Sequence, residues 1–497
     1  MRISPDFERF SAAYATGPQV LSARFAADTD TAVSLTLKLT DAGPDSFLLE
    51  SVTGGEVRGR YSVIGWAPDL IWRCRGAQAE INRQALTDRD AFVAVAEDSL
   101  SSLRALIAES RIDMPDGLPP MAAGLYGYLG YDMIRLVERM GPPNPDPIGL
   151  ADALFLRPSL VAILDNIRDE VTLVAPVWPG AEPRAAYDPA AARLQAALAR
   201  IEGAAPVTGI ADVAGTQARE LTPVSNTTKD RYLETVERAK DYIRAGDIFQ
   251  VVPSQRWSLP LEVSPFALYR ALRRTNPSPY MFYFNLGEAQ IVGASPEILV
   301  RVREGRITIR PIAGTRPRGD TPLKDLALER ELLGDPKERA EHLMLLDLGR
   351  NDVGRVAKIG TVRPTEQFTV ERYSHVMHIV SNVDGELAEG EDALSALLAG
   401  LPAGTVSGAP KIRAMEIIDE LEPEKRGVYA GGVGYFSASG EMDTCIALRT
   451  GVVKDGTLYV QAGGGVVYDS DPEAEYEETV NKARSLLHAA EIAPSFD

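Results

Sequence analysis

Two pairs of glutamates with the same spacing are the first residues whose arrangement could do chemistry. Glu338 and Glu341 are three residues apart, and so are Glu475 and Glu478. In a helix this spacing places both members of a pair on one face. Carboxylates that converge from two helices, with no cysteine beside them, suit an oxygen-preferring cation such as Mg²⁺. Solvated helix faces carry the same spacing, but the first pair leads into the apolar run 343–346, which predicts burial there.

A glycine run and a histidine are the next candidates. Gly463, Gly464 and Gly465 follow a predicted strand and precede the second glutamate pair. Successive glycines let backbone N–H groups approach an anion closely, although a tight turn explains them equally well. His378 lies in an apolar segment, where a histidine is more often a core residue than a catalytic base. Because the chain has no G-x-S-x-G elbow, the sequence disfavours acyl-enzyme chemistry.

Composition limits the class of protein. The chain has 497 residues, enough for two or three domains or for one large α/β body. A formal net charge of −18 argues against a nucleic-acid partner. The two cysteines, Cys74 and Cys445, exclude a disulfide framework and a cysteine-rich zinc site. The sequence shows neither a secretory signal nor an apolar run long enough to span a membrane, so we expect a cytoplasmic protein.

Both helices and strands are predicted around these residues. Tyr232, Val236, Ala239 and Ile243 fall on one face of a predicted helix, and Gly246 stands where a left-handed cap would end it. Hairpin turns are indicated at Glu304-Gly305, Ser439-Gly440 and Asp455-Gly456. Antiparallel strands interleaved with helices favour an α+β domain over a doubly wound parallel sheet.

A shift in composition divides the chain. Residues 203–222 are rich in Gly, Ala and Thr and poor in large apolar residues. We predict a linker there, between an N-terminal region, 1–202, and a C-terminal catalytic region, 223–497. The alternative is a long surface loop within a single body.

Several motifs, read together, resemble those of the chorismate-utilising enzymes. In the C-terminal half they are PIAGTRPRG (311–319), EHLMLLDLGRND (341–352), GAPKIRAMEII (408–418), YAGGVGYF (429–436) and ETVNKA (478–483). The N-terminal half adds LLES (48–51), GRYSVIGW (59–66) and GLYGYLGYD (124–132). The resemblance implies large antiparallel β-sheets in a two-layer sandwich, with helices packed on the outside and the N- and C-terminal regions intertwined.

Two positions separate the reactions of that family. Its water-adding members carry a general-base lysine where this chain has Gln250, and glutamine cannot deprotonate water. Its aminodeoxychorismate-forming members typically carry a nucleophilic lysine in the motif PIKGT, where this chain has Ala313. The resemblance therefore implies that chorismate and ammonia are the substrates and anthranilate the product.

The resemblance also implies roles for individual residues. Glu297, in the sequence SPE, would be the general acid that protonates the departing hydroxyl, which requires a raised pKa and hence a desolvated setting. His378 would serve the later elimination of pyruvate. Gln250 and Thr405 would complete the catalytic set.

The remaining implied roles concern binding. Glu341 and Glu478 would bind Mg²⁺, with Glu338 and Glu475 beside it, and the cation would hold the ring carboxylate of chorismate. The carboxylates of chorismate would be held by Gly314, Thr315, Tyr429, Arg449, Gly463, Gly464, Gly465 and Lys482.

Two further motifs concern regulation, and the lack of a recognisable glutaminase domain concerns partners. LLES and NPSPYMF (276–282) resemble the halves of a tryptophan feedback site, in which Ser51, Pro279, Tyr280 and Met281 would contact the amino acid. An edge strand and a proline-rich loop would explain the same motifs. No glutaminase domain is recognisable, so we expect ammonia from solution or from a separate glutamine amidotransferase subunit in a heterotetramer.

Two alternatives stay open at this point. One is an aminodeoxychorismate synthase component that lacks the lysine. The other is a catalytically inactive, tryptophan-binding regulatory subunit, which would be expected to lack the acidic residues that this chain retains.

Overall fold

The computed structural model describes residues 2–53, 57–204, 221–373 and 376–497. In those ranges the helices are α1 Phe7–Tyr14, α2 Ala32–Thr40, α3 Ser99–Glu109, α4 Pro183–Glu202, α5 Lys229–Ala245, α6 Pro265–Thr275, α7 Pro322–Gly334, α8 Pro336–Gly354, α9 Ala393–Gly400, α10 Lys411–Leu421 and α11 Pro472–Ile492. Short 3-10 helices cover Pro120–Ala122, Tyr131–Leu136, Gly404–Val406 and Ala493–Phe496.

The strands of the N-terminal half are β1 Gln19–Ala26, β2 Ser46–Glu50, β3 Val52–Thr53, β4 Val57–Arg58, β5 Tyr61–Arg75, β6 Gln78–Asn82, β7 Val93–Asp98, β8 Gly124–Leu129, β9 Ala153–Asp165 and β10 Glu170–Val177. Those of the C-terminal half are β11 Val224–Ser225, β12 Gln250–Val251, β13 Ser254–Pro260, β14 Tyr280–Asn285, β15 Gln290–Ser295, β16 Ile298–Arg303, β17 Arg306–Ile309, β18 Ile312–Pro317, β19 Arg363–Arg372, β20 Val376–Glu386, β21 Gly408–Ala409, β22 Gly432–Ser437, β23 Met442–Ile446, β24 Thr450–Lys454 and β25 Thr457–Gly463.

Within the described ranges, one sheet of 21 strands runs through both halves of the sequence. β2 pairs antiparallel with β14, which places Leu48 opposite Tyr283, and β8 pairs antiparallel with β22, which places Gly127 opposite Gly434. The backbones of β8 and β22 approach closely, because a Cβ atom on Gly124 of β8 would lie 2.1 Å from the carbonyl oxygen of Phe436 of β22. The predicted α+β class, with large antiparallel sheet structure and intertwined halves, is confirmed.

Successive side chains of the fully buried strand β9 pack alternately into two apolar clusters, which shows how the layers form. Leu160 and Ala162 belong to an apolar cluster that includes residues of α2, α4, α6 and α11, whereas Val161 and Ile163 belong to a cluster built from strands and their loops. A third cluster joins α8 and α9 to β16 and β20. Strands buried on both faces in this way have helices on one side and other strands on the opposite side. The sheet therefore folds over an interior of strand residues, with the helices outside.

Local sequence signals gave the correct elements in several places. α5 ends at Ala245, and Gly246 adopts a left-handed φ of 83° after it. The three predicted hairpins correspond to β16–β17, β22–β23 and β24–β25. At α11, the side chain of Asp471 accepts from the backbone N–H of Ala474, which fixes the start of the helix that carries the second glutamate pair.

Two predictions are corrected or fall outside the described residues. The run 343–346 is not buried throughout: Leu345 and Leu346 are buried, whereas Leu343 is 56% exposed because α8 is covered on one side only. Of the predicted linker 203–222, residues 205–220 lie outside the described part of the chain. None of the helices in the described ranges is long and apolar enough to cross a membrane.

Candidate active site

Glu297 lies in the short connection between β15 and β16. Pro296 precedes it, and because proline cannot donate to a strand ladder, the chain leaves the sheet at this point. The backbone stays anchored, since the N–H of Ile446 donates to the carbonyl of Glu297 over 3.0 Å. The Glu297 side chain is only 6% exposed, and Thr405 Oγ1 donates to its Oε1 over 3.1 Å.

The surroundings of Glu297 favour its protonated form. Burial raises the pKa of its carboxyl to about 8, and the Thr405 hydroxyl, the Ile312 N–H and the charge of Lys482 oppose that rise. Desolvation dominates because few groups compensate a buried carboxylate here. At neutral pH this carboxyl carries a proton that it could donate, as a general acid requires.

His378 stands on β20 opposite Thr315 of β18. A register shift in β18 leaves Gly314 out of the ladder at a left-handed φ of 67°, and its carbonyl oxygen lies 3.0 Å from His378 Nδ1. The Thr315 hydroxyl lies 3.1 Å from the same nitrogen. Because a carbonyl oxygen only accepts, Nδ1 carries the proton of the neutral ring and Nε2 keeps its lone pair.

The imidazole of His378 is neutral at physiological pH. Burial lowers its pKa to about 4, and the positive charges of Arg449 and Lys482 act in the same direction against the contact with Gly314. A neutral ring with a free Nε2 is suited to accept a proton.

The four glutamates come from α8 and α11, as the sequence predicted. The pKa of Glu341 is raised first by burial and then by the charges of Glu338 and Glu478, so the two pairs face each other. The pKa of Glu475 is likewise raised by burial and by Glu478. Mutual repulsion between carboxylates on two helices is the electrostatic condition that a bound cation relieves.

The donor set fits a hard divalent cation that keeps part of its water shell. Oε2 of Glu475 is buried without a hydrogen-bond partner. In the described part of the chain, no three or more His, Cys, Asp or Glu side chains form a compact metal-ligand group. Arg316 binds Glu338 over 3.1 Å and Lys482 binds Glu478 over 2.6 Å, so these carboxylates already have cationic partners. Mg²⁺ commonly binds through one or two carboxylates and several waters, which this arrangement allows.

Gln250 joins the glutamates to the glycine run. It is 3% exposed on β12, and its Nε2 donates weakly to Glu341 Oε1 over 3.4 Å. A Cβ atom on Gly465 would lie 2.6 Å from that Nε2, and one on Gly464 would lie 3.1 Å from Glu475 Oε2. The second and third glycines therefore leave room for side chains of the site, which explains glycine at both positions.

Lys482, Tyr429 and Arg449 contribute cationic and phenolic groups to the site. The Lys482 ammonium donates to the Gly463 carbonyl over 2.9 Å, and a Cβ atom on Gly463 would lie 3.0 Å from the Tyr429 hydroxyl. Burial lowers the pKa of Arg449, and among the described residues its guanidinium has neither an ion pair nor a hydrogen bond. A partly exposed guanidinium that is desolvated and has no counter-ion among the described residues is well suited to bind an anion.

The structure brings the predicted catalytic, substrate and metal residues into one connected site. Lys482 is the common neighbour, because its charge acts on both Glu297 and His378 while it binds Glu478 and Gly463 directly. Gln250 connects this group to Glu341. A proton donor, a proton acceptor, anion-binding groups and a candidate cation site are thus adjacent.

The predicted tryptophan contacts lie elsewhere. Ser51, Pro279, Tyr280 and Met281 line a cavity of about 690 Å³, which we call the regulatory cavity after the role that we propose for it below. β2 and β14 place them together, with Met281 opposite Glu50. The same cavity is also lined by Pro296, Ile298, Arg310, Glu371 and Tyr373.

Sequence reasoning missed two supports of the site. Glu422 and Arg426 form a buried ion pair beneath the Tyr429 ring, with the Arg426 guanidinium carbon 5.4 Å from the ring centroid. Tyr373 packs its ring edge against His378, with 5.4 Å between ring centroids. The i,i+4 spacing of Glu422 and Arg426 was readable in the sequence, but nothing there showed that both are buried.

Comparison with known proteins gives consistent results. Residues 46–488 match the family model described as chorismate binding enzyme. The chain is 67% identical over 494 residues to anthranilate synthase component 1 of Cereibacter sphaeroides, covering 99% of this chain and 98% of the relative. It is similar to the crystal structure of anthranilate synthase component I from Streptococcus pneumoniae, with TM-score 0.76, 38% identity, and coverage of 86% and 92% of the two chains. The menaquinone-specific isochorismate synthase of Escherichia coli shares the fold, with TM-score 0.70 at 19% identity and coverage of 98% and 100%.

Proposed function

The chain belongs to the chorismate-binding enzymes, and from this premise we propose that it is the large subunit of an anthranilate synthase. It would convert chorismate and ammonia to anthranilate, pyruvate and water. The observation that carries this choice within the family is Gln250, whose amide donates to Glu341 over 3.4 Å. The family resemblance implies a lysine base at this position in the water-adding members. Because an amide cannot deprotonate water, ammonia, which needs no activation, is the favoured nucleophile.

The first step uses Glu297 as general acid. Ammonia adds at C2 of chorismate while the C4–O bond breaks, and the Glu297 proton passes to the departing oxygen, which leaves as water. A carboxyl with a pKa of about 8 holds this proton at neutral pH. Its contact with Thr405 then stabilises the carboxylate that forms.

The second step uses His378 as base. Nε2 accepts the proton from C2, the bond between the ring and the enolpyruvyl oxygen breaks, and the leaving group takes up a proton to become pyruvate. The ring becomes aromatic, which drives the step. The contact of Nδ1 with the Gly314 carbonyl supports this role, because it stabilises the imidazolium that forms.

Substrate orientation depends on the charged groups around these two residues. Arg449 and Lys482 would bind a carboxylate of chorismate, with Tyr429, Gly314, Thr315 and the glycines 463–465 shaping the pocket. Glu341 and Glu478 would hold Mg²⁺, with Glu338 and Glu475 beside it. When bound, the cation would neutralise the ring carboxylate of the substrate.

The proposal includes a partner and an inhibitor. A separate glutamine amidotransferase subunit would supply ammonia in a cytoplasmic heterotetramer. The word component in the relatives' names supports such a partner. Tryptophan would bind in the regulatory cavity and inhibit turnover; the cavity's size and its mixture of aromatic, apolar and charged walls support an aromatic amino acid.

The test of this proposal is an activity assay of the purified protein with chorismate, Mg²⁺ and an ammonium salt. The fluorescence of anthranilate reports the product. We expect anthranilate formation that chelator abolishes and tryptophan suppresses. Consumption of chorismate with retention of the pyruvyl ether would instead support an aminodeoxychorismate synthase component. Tryptophan binding without any turnover, even with a glutaminase partner present, would support an inactive regulatory subunit.

A further inference from the structure

Tyr373 belongs to both the regulatory cavity and the catalytic site. It lines the cavity together with Glu371 and Arg310. Its ring also meets the His378 ring edge-on, with centroids 5.4 Å apart and ring planes at 65°. The Tyr373 side chain therefore contacts both the cavity and the proposed base.

The Tyr373 ring is fixed from several directions. Its hydroxyl donates to Glu371 Oε2 over 2.9 Å, and Arg310 binds the other carboxylate oxygen over 2.7 Å. Its backbone carbonyl accepts from Arg318 over 2.7 Å. Because Arg310 and Glu371 also face the cavity, an occupant that contacts either of them acts on the group that holds the Tyr373 hydroxyl.

The ring also restricts His378. The Gly314 carbonyl and the Thr315 hydroxyl both lie beside Nδ1 and hold that edge of the imidazole. Tyr373 adds a contact with the ring itself, and an edge-to-face aromatic pair has a preferred geometry. Loss of the restraint would let Nε2 move away from the position that proton transfer requires.

A second part of the cavity wall lies next to the acid. Pro296 and Ile298, the residues on either side of Glu297, both line the cavity. The Glu297 side chain contacts Thr405 instead, and it is absent from the cavity wall. The cavity thus adjoins the proposed acid through the backbone and the proposed base through Tyr373.

We propose that Tyr373 is a positioning residue for His378 and the side chain through which an aromatic amino acid in the regulatory cavity slows the reaction. This inference rests on the proposed function. An occupant would shift the Tyr373 ring through the Arg310–Glu371 pair, and the imidazole would lose the orientation needed for its step. The aminated intermediate would then persist or leave before it becomes aromatic.

Two substitutions separate the contributions of ring and hydroxyl. Tyr373→Leu removes the aromatic edge, and Tyr373→Phe removes only the bond to Glu371. Tyr242→Phe is the matched control, because it also removes a hydroxyl that donates to a glutamate: Tyr242, on helix α5, donates to Glu420 over 2.6 Å. Tyr242 is not among the residues that line the cavity. For each protein the measurements are kcat, KM for chorismate, the ratio of anthranilate to non-aromatic aminated product, and the tryptophan concentration that halves the rate.

We expect Tyr373→Leu to lower kcat for anthranilate by about tenfold to a hundredfold with little change in KM. It should release a larger share of non-aromatic product and raise the half-inhibiting tryptophan concentration. Tyr373→Phe should keep the wild-type product ratio, because the ring remains, and should need several times more tryptophan. Tyr242→Phe should match the wild type in every measurement.

The outcomes distinguish this inference from the proposed function. Wild-type protein that makes no anthranilate with ammonia would overturn the function itself. An active wild type together with a Tyr373→Leu enzyme of unchanged product ratio would overturn only the positioning role. If Tyr373→Leu fails to fold by circular dichroism, Tyr373→Phe decides the coupling: inhibition identical to that of Tyr242→Phe would overturn it.

Discussion

Thr405 Oγ1 donates a hydrogen bond to Oε1 of Glu297 over 3.1 Å. This hydrogen bond lowers the pKa of Glu297, because it stabilises the ionised carboxylate. Burial raises the same pKa, because desolvation favours the protonated form. Together with the Ile312 N–H and the charge of Lys482, these two effects set the pKa at about 8, high enough to keep the proton and low enough to release it to a leaving oxygen.

Thr405→Val should move the alkaline limb of the kcat/KM profile upward. Without the hydroxyl the carboxylate loses a stabilising contact, so the pKa of Glu297 rises further above its ordinary value. Turnover at pH 7 should fall, because the carboxylate formed in the first step is less stable. The measurement is the pH dependence of anthranilate formation between pH 6 and 10. Thr405→Ser keeps the hydroxyl and should keep the wild-type limb, and a downward shift in the valine variant would contradict the argument.

Glu297→Gln should abolish most turnover and stabilise the protein at high pH. The pKa of Glu297 in the folded protein, about 8, lies above its ordinary value of 4.5. Its contribution to stability is therefore complete below pH 4.5 and is lost as pH rises through about 8. A glutamine does not ionise, so the variant should gain stability relative to wild type over that window, by roughly 3 to 5 kcal/mol at most.

Melting temperatures of both proteins at pH 5, 7 and 9 check this expectation. The difference in favour of Glu297→Gln should increase with each step of pH. A constant difference would show that the carboxyl titrates normally and would remove the physical basis for its role as an acid. Turnover of the variant should be lower by about 10² to 10⁴-fold.

The sequence was sufficient where a residue's environment is local. The glycine cap of α5, the three hairpin turns and the helices that carry the glutamate pairs follow from spacing and turn chemistry. Side-chain environments set by distant segments were not readable. Leu343 is exposed because no described segment covers that side of α8, and Tyr373 contacts His378 because β18, β19 and β20 pair with one another. Site residues could be named through the family motifs, but their pKa values depend on burial that only the fold creates.

Glu422→Gln should strongly destabilise the protein. Glu422 and Arg426 are 4% and 1% exposed, and Glu422 also accepts from the backbone N–H and the hydroxyl of Ser254, each over 2.8 Å. The variant leaves the Arg426 guanidinium charged, buried and poorly compensated, at a cost of about 3 to 5 kcal/mol. Glu386→Gln is the control, because Glu386 and Lys358 are more than half exposed and such pairs contribute about 0 to 1 kcal/mol. A similar fall in melting temperature for both variants would contradict the difference assigned to burial.

Glu341→Gln should weaken Mg²⁺ binding and lower the rate. The variant removes one negative charge from the group whose mutual repulsion a cation relieves. We expect the Mg²⁺ concentration for half-maximal rate to rise at least tenfold, and the heat of Mg²⁺ binding to the protein without chorismate to diminish. Glu477→Gln is the control, since Glu477 lies on α11 between the two glutamates of the second pair but is not among the charges that raise the pKa of Glu341. Equal Mg²⁺ dependence of the two variants would remove Glu341 from the cation site.

Arg449→Gln should have opposite effects on substrate binding and on stability. The guanidinium is largely desolvated without a partner among the described residues, so the folded protein without substrate bears part of the cost of an uncompensated charge. Glutamine removes that charge, and the melting temperature should rise by a few degrees. KM for chorismate should rise by about tenfold to a hundredfold, because a charge-assisted bond to a substrate carboxylate is lost. Arg449→Lys keeps the charge but not the two-pronged geometry and should give an intermediate KM. A purely structural arginine would give the reverse pattern, with a lower melting temperature and an unchanged KM.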